Sequence, residues 1–423
     1  METISTFKTD RSFSLDQDQQ DSLRFLRDRF HLPLSPLGGT SRYMCSNSLG
    51  CQPKSASGHV AQVMDQWREI GVKGHFSGER PWTTYHGELD ELMSKVVGGK
   101  PEEVTVMNTL TVNLHLMMVS FYRPTKERFK ILVEANAFPS DLYACESQIR
   151  FHGYNPDEAL LKVAPREGER LLRQEDILQL IAEEGDQIAL IMLGGLNYYT
   201  GQVLDMQAIT QAGHAKGCLV GFDLAHAAGN IPLCLHEWDV DFATWCTYKY
   251  MCSGPGGPSA VFINERFLGD PDIPRFEGWW GHDKGERFLM EPHFKAIPSA
   301  EAWQLSNAPI LPLATLKASL EIFGEVGMQK LREKSVALTS YLAYLIQPLI
   351  DKGEIQLITP KQADQRGAQL SLFIPERGKE RFQKLMEVGV ICDWREPNVI
   401  RLAPSPLYNT FEDVWEAANA LQA

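Results

Sequence analysis

From Val104 onward the chain alternates short apolar runs with amphipathic stretches, a pattern that few folds accept. Residues 104–107, 129–133, 187–193, 218–222, 242–246 and 259–263 read as strands. Residues 139–151, 174–184 and 207–216 carry helical spacing between several of them. Such alternation predicts an α/β fold, with a largely parallel sheet covered by helices on both faces. Upstream, 15–30 and 57–70 also read as helices. Residues 271–312, rich in Pro, Gly and Trp, are expected to form a long loop region over a site. A long helical pattern over 313–349 leads into short strands (355–358, 369–373, 399–402) and helices (379–388, 411–421). A chain of 423 residues exceeds one ordinary hydrophobic core. The expected division is an N-terminal arm over 1–50, a large domain over 51–312 and a smaller α+β domain over 313–423.

A net charge of −13 argues against nucleic acid or an anionic membrane as partner. No apolar run reaches the roughly 18 residues that suggest a membrane span, and the start, Met1-Glu-Thr-Ile, lacks the basic and apolar regions of a signal peptide. The eight cysteines form no C-x-x-C pair and read as reduced, buried thiols, so a cytoplasmic protein is expected. No H-E-x-x-H motif or Cys/His cluster points to a metal.

Two residues then narrow the chemistry. The run 218–222 ends in Asp223, and the run 242–246 is followed by Tyr248 and Lys249 ahead of Gly254-Pro-Gly-Gly257. Pyridoxal phosphate chemistry needs such a pair. The lysine holds the aldehyde as a Schiff base, and the acid keeps the ring nitrogen protonated so the ring accepts electrons. Neighbouring strand ends of an open sheet would place them about one cofactor apart.

Other residues fit around that pair. Asn108-Thr-Leu-Thr-Val-Asn113 sits where a strand turns into a helix, so backbone N–H groups and the Thr111 hydroxyl suit a phosphate, although ordinary capping would use the same residues. Phe138, at the next strand end, is placed to lie over a planar ring, and Asp141 to reach its polar edge; core packing and helix capping are the plainer readings. Gly194-Gly195 lets backbone approach a ligand, as a plain turn also would. His226 lies one turn beyond Asp223. Arg401 sits in a short apolar strand, where a buried guanidinium needs an anion: a substrate α-carboxylate or an internal salt bridge.

With these residues assembled, the chain resembles the kynureninase family, fold type I (aspartate-aminotransferase-like) pyridoxal phosphate enzymes. The resemblance runs from Asn47-Ser-Leu-Gly50 to Pro404-Ser-Pro-Leu-Tyr-Asn409. Between them lie Gly74-His-Phe76, Arg80-Pro-Trp82, Leu110-Thr-Val-Asn-Leu-His115, Phe138-Pro-Ser-Asp141, Tyr199-Thr-Gly-Gln202, Gly221-Phe-Asp-Leu-Ala-His226, Tyr248-Lys-Tyr250, Gly278-Trp-Trp-Gly-His282 and Leu305-Ser-Asn307.

The resemblance implies a seven-stranded-type, mostly parallel sheet and pyridoxal 5'-phosphate on Lys249, with Asp223 facing the pyridine nitrogen. Leu110, Thr111 and Tyr248 would hold the phosphate and Phe138 would stack on the ring, with Pro139, Ser140, Asp141 and His226 as further cofactor contacts. Trp279 and Asn307 would enter from a second subunit, implying a homodimer with shared active sites. Ser48, His75, Asn307 and Arg401 match substrate-side positions. Gly194 stands where a relative has serine, so that side-chain contact is absent.

The implied reaction is hydrolysis of L-kynurenine or 3-hydroxy-L-kynurenine to an anthranilate and L-alanine, as in tryptophan breakdown or NAD synthesis. Lys249 would take the α-proton and Tyr248 would do acid–base work. Polar His75 and Asn307 would favour the 3-hydroxy substrate. A cysteine desulfurase shares the Asp–Lys pair but needs a cysteine on a mobile loop, and Cys392, the nearest candidate, sits beside an apolar run. A silent scaffold would be expected to have lost Lys249 or Asp223, and neither is lost.

Overall fold

The computed structural model describes residues 7–422. Its centre is a seven-stranded sheet: β1 (Val104–Met107), β2 (Lys130–Glu134), β3 (Leu160–Val163), β4 (Ile188–Gly194), β5 (Leu219–Asp223), β6 (Phe242–Cys246) and β7 (Ser259–Ile263). The spatial order is β1-β7-β6-β5-β4-β2-β3, and β7 alone in this sheet runs antiparallel to its neighbours. The expected α/β architecture is therefore present. Ile188 to Leu193 are all buried, as a strand covered on both faces requires. Ile191 and Leu193 pack into one core layer while Leu190 and Met192 pack into the opposite one, the period-two division of a strand. β3 is an edge strand whose mixed Leu-Leu-Lys-Val run is half exposed, so it gives little hydrophobic signal.

Three further departures from sequence expectation have local causes. The segment 15–30 is a helix over Arg11–Gln20 followed by a short 3-10 turn. The chain breaks at Asp21, whose carboxylate accepts the N–H of Leu23 at 2.8 Å and pairs with buried Lys334 at 2.7 Å. The pattern over 313–349 is two helices, Ile310–Val326 and Met328–Asp351. Gly327, with φ +81°, separates them. Within 271–312 the irregular chain is interrupted by short 3-10 turns at Trp279–Gly281, Arg287–Leu289 and Ala300–Trp303.

A second sheet, antiparallel throughout, is formed by β8 (Gln356–Leu357), β9 (Leu370–Phe373), β10 (Asp393–Arg395) and β11 (Val399–Leu402) in the order β8-β9-β11-β10. It has its own core with Leu338, Leu342 and Ile346 of the long helix and Val414 and Leu421 of Phe411–Gln422. Phe13 and Met44 join this core, and Asp18 accepts the N–H groups of Phe411 and Glu412 at 2.6 and 3.0 Å. The helix Ile310–Val326 packs instead with the large sheet, through Leu313, Leu316 and Leu320. No helix among the described residues is long and apolar enough to cross a membrane.

β5 and β6 approach closely because Gly221 faces Phe242, its register partner. A Cβ at 221 would stand 2.1 Å from the Phe242 ring, which is itself stacked on Phe121 at 4.7 Å. Gly221→Ala is therefore expected to destabilise the protein by about 1–3 kcal/mol, the usual cost of overpacking a core. A urea midpoint that does not move would show that the ring has room to yield.

Candidate active site

The strands of the large sheet deliver polar side chains to one edge. Glu134 ends β2, Gly194 ends β4, Asp223 ends β5, and Lys249 follows β6 by three residues. Gly194 and Asp223 are register partners, so β4 and β5 finish level with one another. Ligands of open α/β sheets bind in this crevice beyond the carboxyl ends of parallel strands. Here it is a cavity of about 450 Å³, inside the roughly 300–1,000 Å³ range of small-molecule sites.

Asp223 and Lys249 both line that cavity, with Ser48, Leu110, Thr111, Phe138, Ser140, Asp141, His226 and Tyr248. The helices Leu110–Phe121 and Pro139–Phe151 bring their N-termini to it, and neither has a side-chain cap. The hydroxyls of Thr111 and Ser140, one from each first turn, lie 2.9 Å apart. Two uncapped N-termini and two hydroxyls make a site for a doubly charged anion. Pro139 is the first residue of its helix. Phe138 is 47% exposed, and its ring meets Tyr198 edge-on at 5.3 Å. A planar, phosphorylated cofactor fits this arrangement of flat ring, anion cradle, acid and amine.

The electrostatics are those of a buried acid pair beside an amine. Burial, and then the charge of Asp223, push the Asp141 carboxyl well above the ordinary carboxylate range. Asp223 is raised by burial too, eased by the Ala225 N–H, which it accepts at 2.7 Å. Each carboxyl acts on the other, so ionising one disfavours ionising its neighbour, and the larger rise falls on Asp141. Burial, then the neighbouring charge of Lys249, depress His226 far below the ordinary histidine range. Its neutral Nε2 lies 2.9 Å from Lys249 Nζ, while Nδ1 is buried without a partner. Burial, then Cys246, raise the Tyr248 phenol, so it stands as a proton donor at neutral pH.

Several groups on this wall carry no obvious sequence signal. Glu134 is buried and accepts the N–H of Gly194 at 3.0 Å and the side-chain amide of Asn197 at 2.7 Å. A Cβ at Gly194 would lie 2.9 Å from Glu134 Oε1, which accounts for glycine there. An acid closing an apolar run was the clue, the same clue that marks Asp223. Asn47, Tyr198 and Arg395 also face the cavity.

Arg401 does not line the cavity. It is fully buried and forks onto Asp393, from Nε to Oδ1 at 2.6 Å and from Nη2 to Oδ2, while Nη1 donates to the Tyr198 carbonyl at 2.6 Å. Trp279, His75 and Asn307 also stand away from it. His75 meets Trp82 edge-on at 5.2 Å, and Trp279 donates from Nε1 to the Arg287 carbonyl at 3.0 Å. Asn307 is exposed.

Comparison with known proteins separates two groups. Solved structures similar in fold include the apo cysteine desulfurase of Thermococcus onnurineus NA1, with TM-score 0.75 and 16% identity over 94% of this chain and 96% of that one. A mutant of the C-DES protein with glycine covalently linked to its PLP cofactor gives TM-score 0.76 and 18% identity over 93% and 98%. In sequence, residues 331–421 match the family model "Kynureninase C-terminal domain". The kynureninase of Myxococcus xanthus is 53% identical over 100% of this chain and 99% of its own length. The human kynureninase is 46% identical over 98% and 92%. These two structures share the fold and little of the sequence, whereas the similarity to kynureninases runs end to end: the chain belongs to the kynureninase family.

Proposed function

We propose that the chain hydrolyses the Cβ–Cγ bond of L-kynurenine or 3-hydroxy-L-kynurenine, releasing L-alanine and an anthranilate, with pyridoxal 5'-phosphate held on Lys249. The observation that carries this reading is the opening of Asp223 and Lys249 into one cavity with two uncapped helix N-termini. When bound, the cofactor supplies an electron sink for the pair left on Cα as the α-proton departs.

Each remaining task falls to a side chain. Asp223, ionised beside a protonated Asp141, would hold the pyridine nitrogen protonated. Thr111, Ser140 and the first-turn N–H groups from Leu110 take the phosphate, and Tyr248 closes that side. Phe138 covers one face of the ring. Lys249 Nζ, oriented by neutral His226, removes the α-proton. The Tyr248 phenol gives its proton to the γ-carbonyl oxygen as water adds to Cγ and yields a proton to a general base. The Cβ–Cγ bond then breaks, Cγ leaving as the carboxyl of the anthranilate and Cβ taking a proton to become the methyl of alanine. Ser48, Arg401 and a second copy's Asn307 position the substrate, with His75 near its aromatic ring.

We infer a homodimer in which Trp279 and Asn307 enter the partner's site. In support, Phe76 and Trp279 pack edge-on against Phe288 at 5.2 and 5.3 Å, and all three are exposed, as are Leu289 and Met290. Such an apolar patch suits a protein interface. All eight cysteines are unpaired, which supports a reducing compartment such as the cytosol.

The test is incubation with each substrate and quantification of alanine and the aromatic product. We expect the larger kcat/KM with 3-hydroxykynurenine, because a site with hydrogen-bonding groups leaves them unpaired on an analogue without the hydroxyl. His75→Phe and Asn307→Thr should narrow the ratio. A preference for plain kynurenine would remove both residues from ring recognition. Arg401→Ala should weaken substrate binding by about 2–5 kcal/mol, the cost of breaking a buried charge pair. Cofactor binding should be spared. Loss of cofactor instead would make Arg401 purely structural.

A further inference from the structure

Arg401 is not free to receive a substrate carboxylate. Its Nε/Nη2 fork already holds Asp393, and Asn47, with its amide oxygen turned inward, accepts from the same two nitrogens at 3.1 Å. Asp393 and Arg401 are register partners on adjacent strands, so the pair is fixed by the β10–β11 hairpin. Two residues along β10, Arg395 Nη2 stands 3.4 Å from Asp393 Oδ2. Arg395 lines the cavity, and its Nε is buried without a partner. The cluster thus holds two guanidiniums and one carboxylate. It is one anion short of neutrality, and the guanidinium with the unsatisfied donor belongs to the residue that lines the cavity.

We propose that Asp393 is an exchangeable counter-ion: it occupies Arg401 in the free enzyme and passes to Arg395 when the substrate's α-carboxylate takes the Arg401 fork. This rests on the reading of Arg401 as the carboxylate's partner. With the Arg401–Asp393 pair locked, an entering carboxylate would find the fork occupied and meet Asp393 as a like charge, which disfavours both ionised forms. Transfer to Arg395 leaves two complete pairs and gives the orphaned Nε an acceptor. Only a ligand with a carboxylate completes the set, so Asp393 is a positioning residue that sets selectivity for acids. The shift itself is a rotation of the Asp393 side chain; Asn47, which faces the cavity and sits on the same two nitrogens, must yield with it to admit the ligand.

The experiment measures calorimetric affinities of the holoenzyme for the desamino analogue of kynurenine, which keeps the carboxylate but lacks the amine, and for that analogue's primary amide. Asp393→Asn removes the competitor, so the acid is expected to bind about tenfold more tightly, the scale of one charge-assisted hydrogen bond, while the amide is unchanged. Arg395→Gln leaves the Arg401–Asp393 pair whole and removes its destination. It should therefore fold, and bind the acid about tenfold more weakly with the amide unaffected. Equal shifts for acid and amide in both variants, or no shift in either, would overturn the exchange. Arg401→Ala tests the underlying reading separately. If it still discriminates acid from amide as wild type does, Arg401 is not the carboxylate's partner; if discrimination is lost and Arg395→Gln is unchanged, the exchange alone fails.

Discussion

Lys249→Ala is expected to lose both the visible absorbance of covalently held cofactor and at least about 10³-fold in turnover, since general acid–base catalysis alone contributes roughly 10²–10⁴. The substitution removes the tether and the base for the α-proton together. Its environment makes replacement by a neighbour implausible: His226, 2.9 Å away, is neutral and far less basic than an ordinary histidine. Added small amines should restore part of the rate by substituting for the missing Nζ. Substantial turnover with no added amine would take Lys249 out of the reaction.

Asp223→Asn is expected to lower kcat by about 10²–10³, the typical loss when one preorganised electrostatic partner is removed. KM should change little, because the group acts on the ring's electronics and not on substrate contacts. The amide keeps the shape of the side chain and can still accept the Ala225 N–H. It cannot hold a proton on the ring nitrogen. Cofactor should stay bound through Lys249 and the helix N-termini, which the retained absorbance would report. An unchanged kcat would show that Asp223 faces something other than the ring.

The sheet and its acid–amine pair were legible because both depend on local signals. The runs 104–107, 242–246 and 259–263 coincide with strands, and strand ends are where an α/β sheet displays its chemistry. The remainder depended on partners distant in sequence. Glu134 closes an apolar run just as Asp223 does, yet its meaning comes from Gly194 and Asn197, far along the chain. Arg401 left two readings open from sequence alone, a substrate anion or an internal salt bridge, and the fold shows Asp393 on its fork. The hairpin register that sets 393 opposite 401 was the available clue, with Pro397 marking the turn. β3 escaped notice because an edge strand half in solvent needs no apolar alternation.

Asp223 and Glu134 end strands of the seven-stranded sheet, with Lys249 and Asp141 a few residues beyond two of its strand ends, whereas Asp393, Arg395 and Arg401 stand on the four-stranded one, which has a separate hydrophobic core. Chemistry and appetite are therefore inherited on different scaffolds. A lineage can keep the apparatus that labilises bonds around Cα and still change which acids are admitted, by altering a nine-residue hairpin (393–401) that reaches the cavity only through Arg395. In this architecture the carboxylate end of a substrate is met from the smaller sheet, while the bond-breaking groups stand on the larger one.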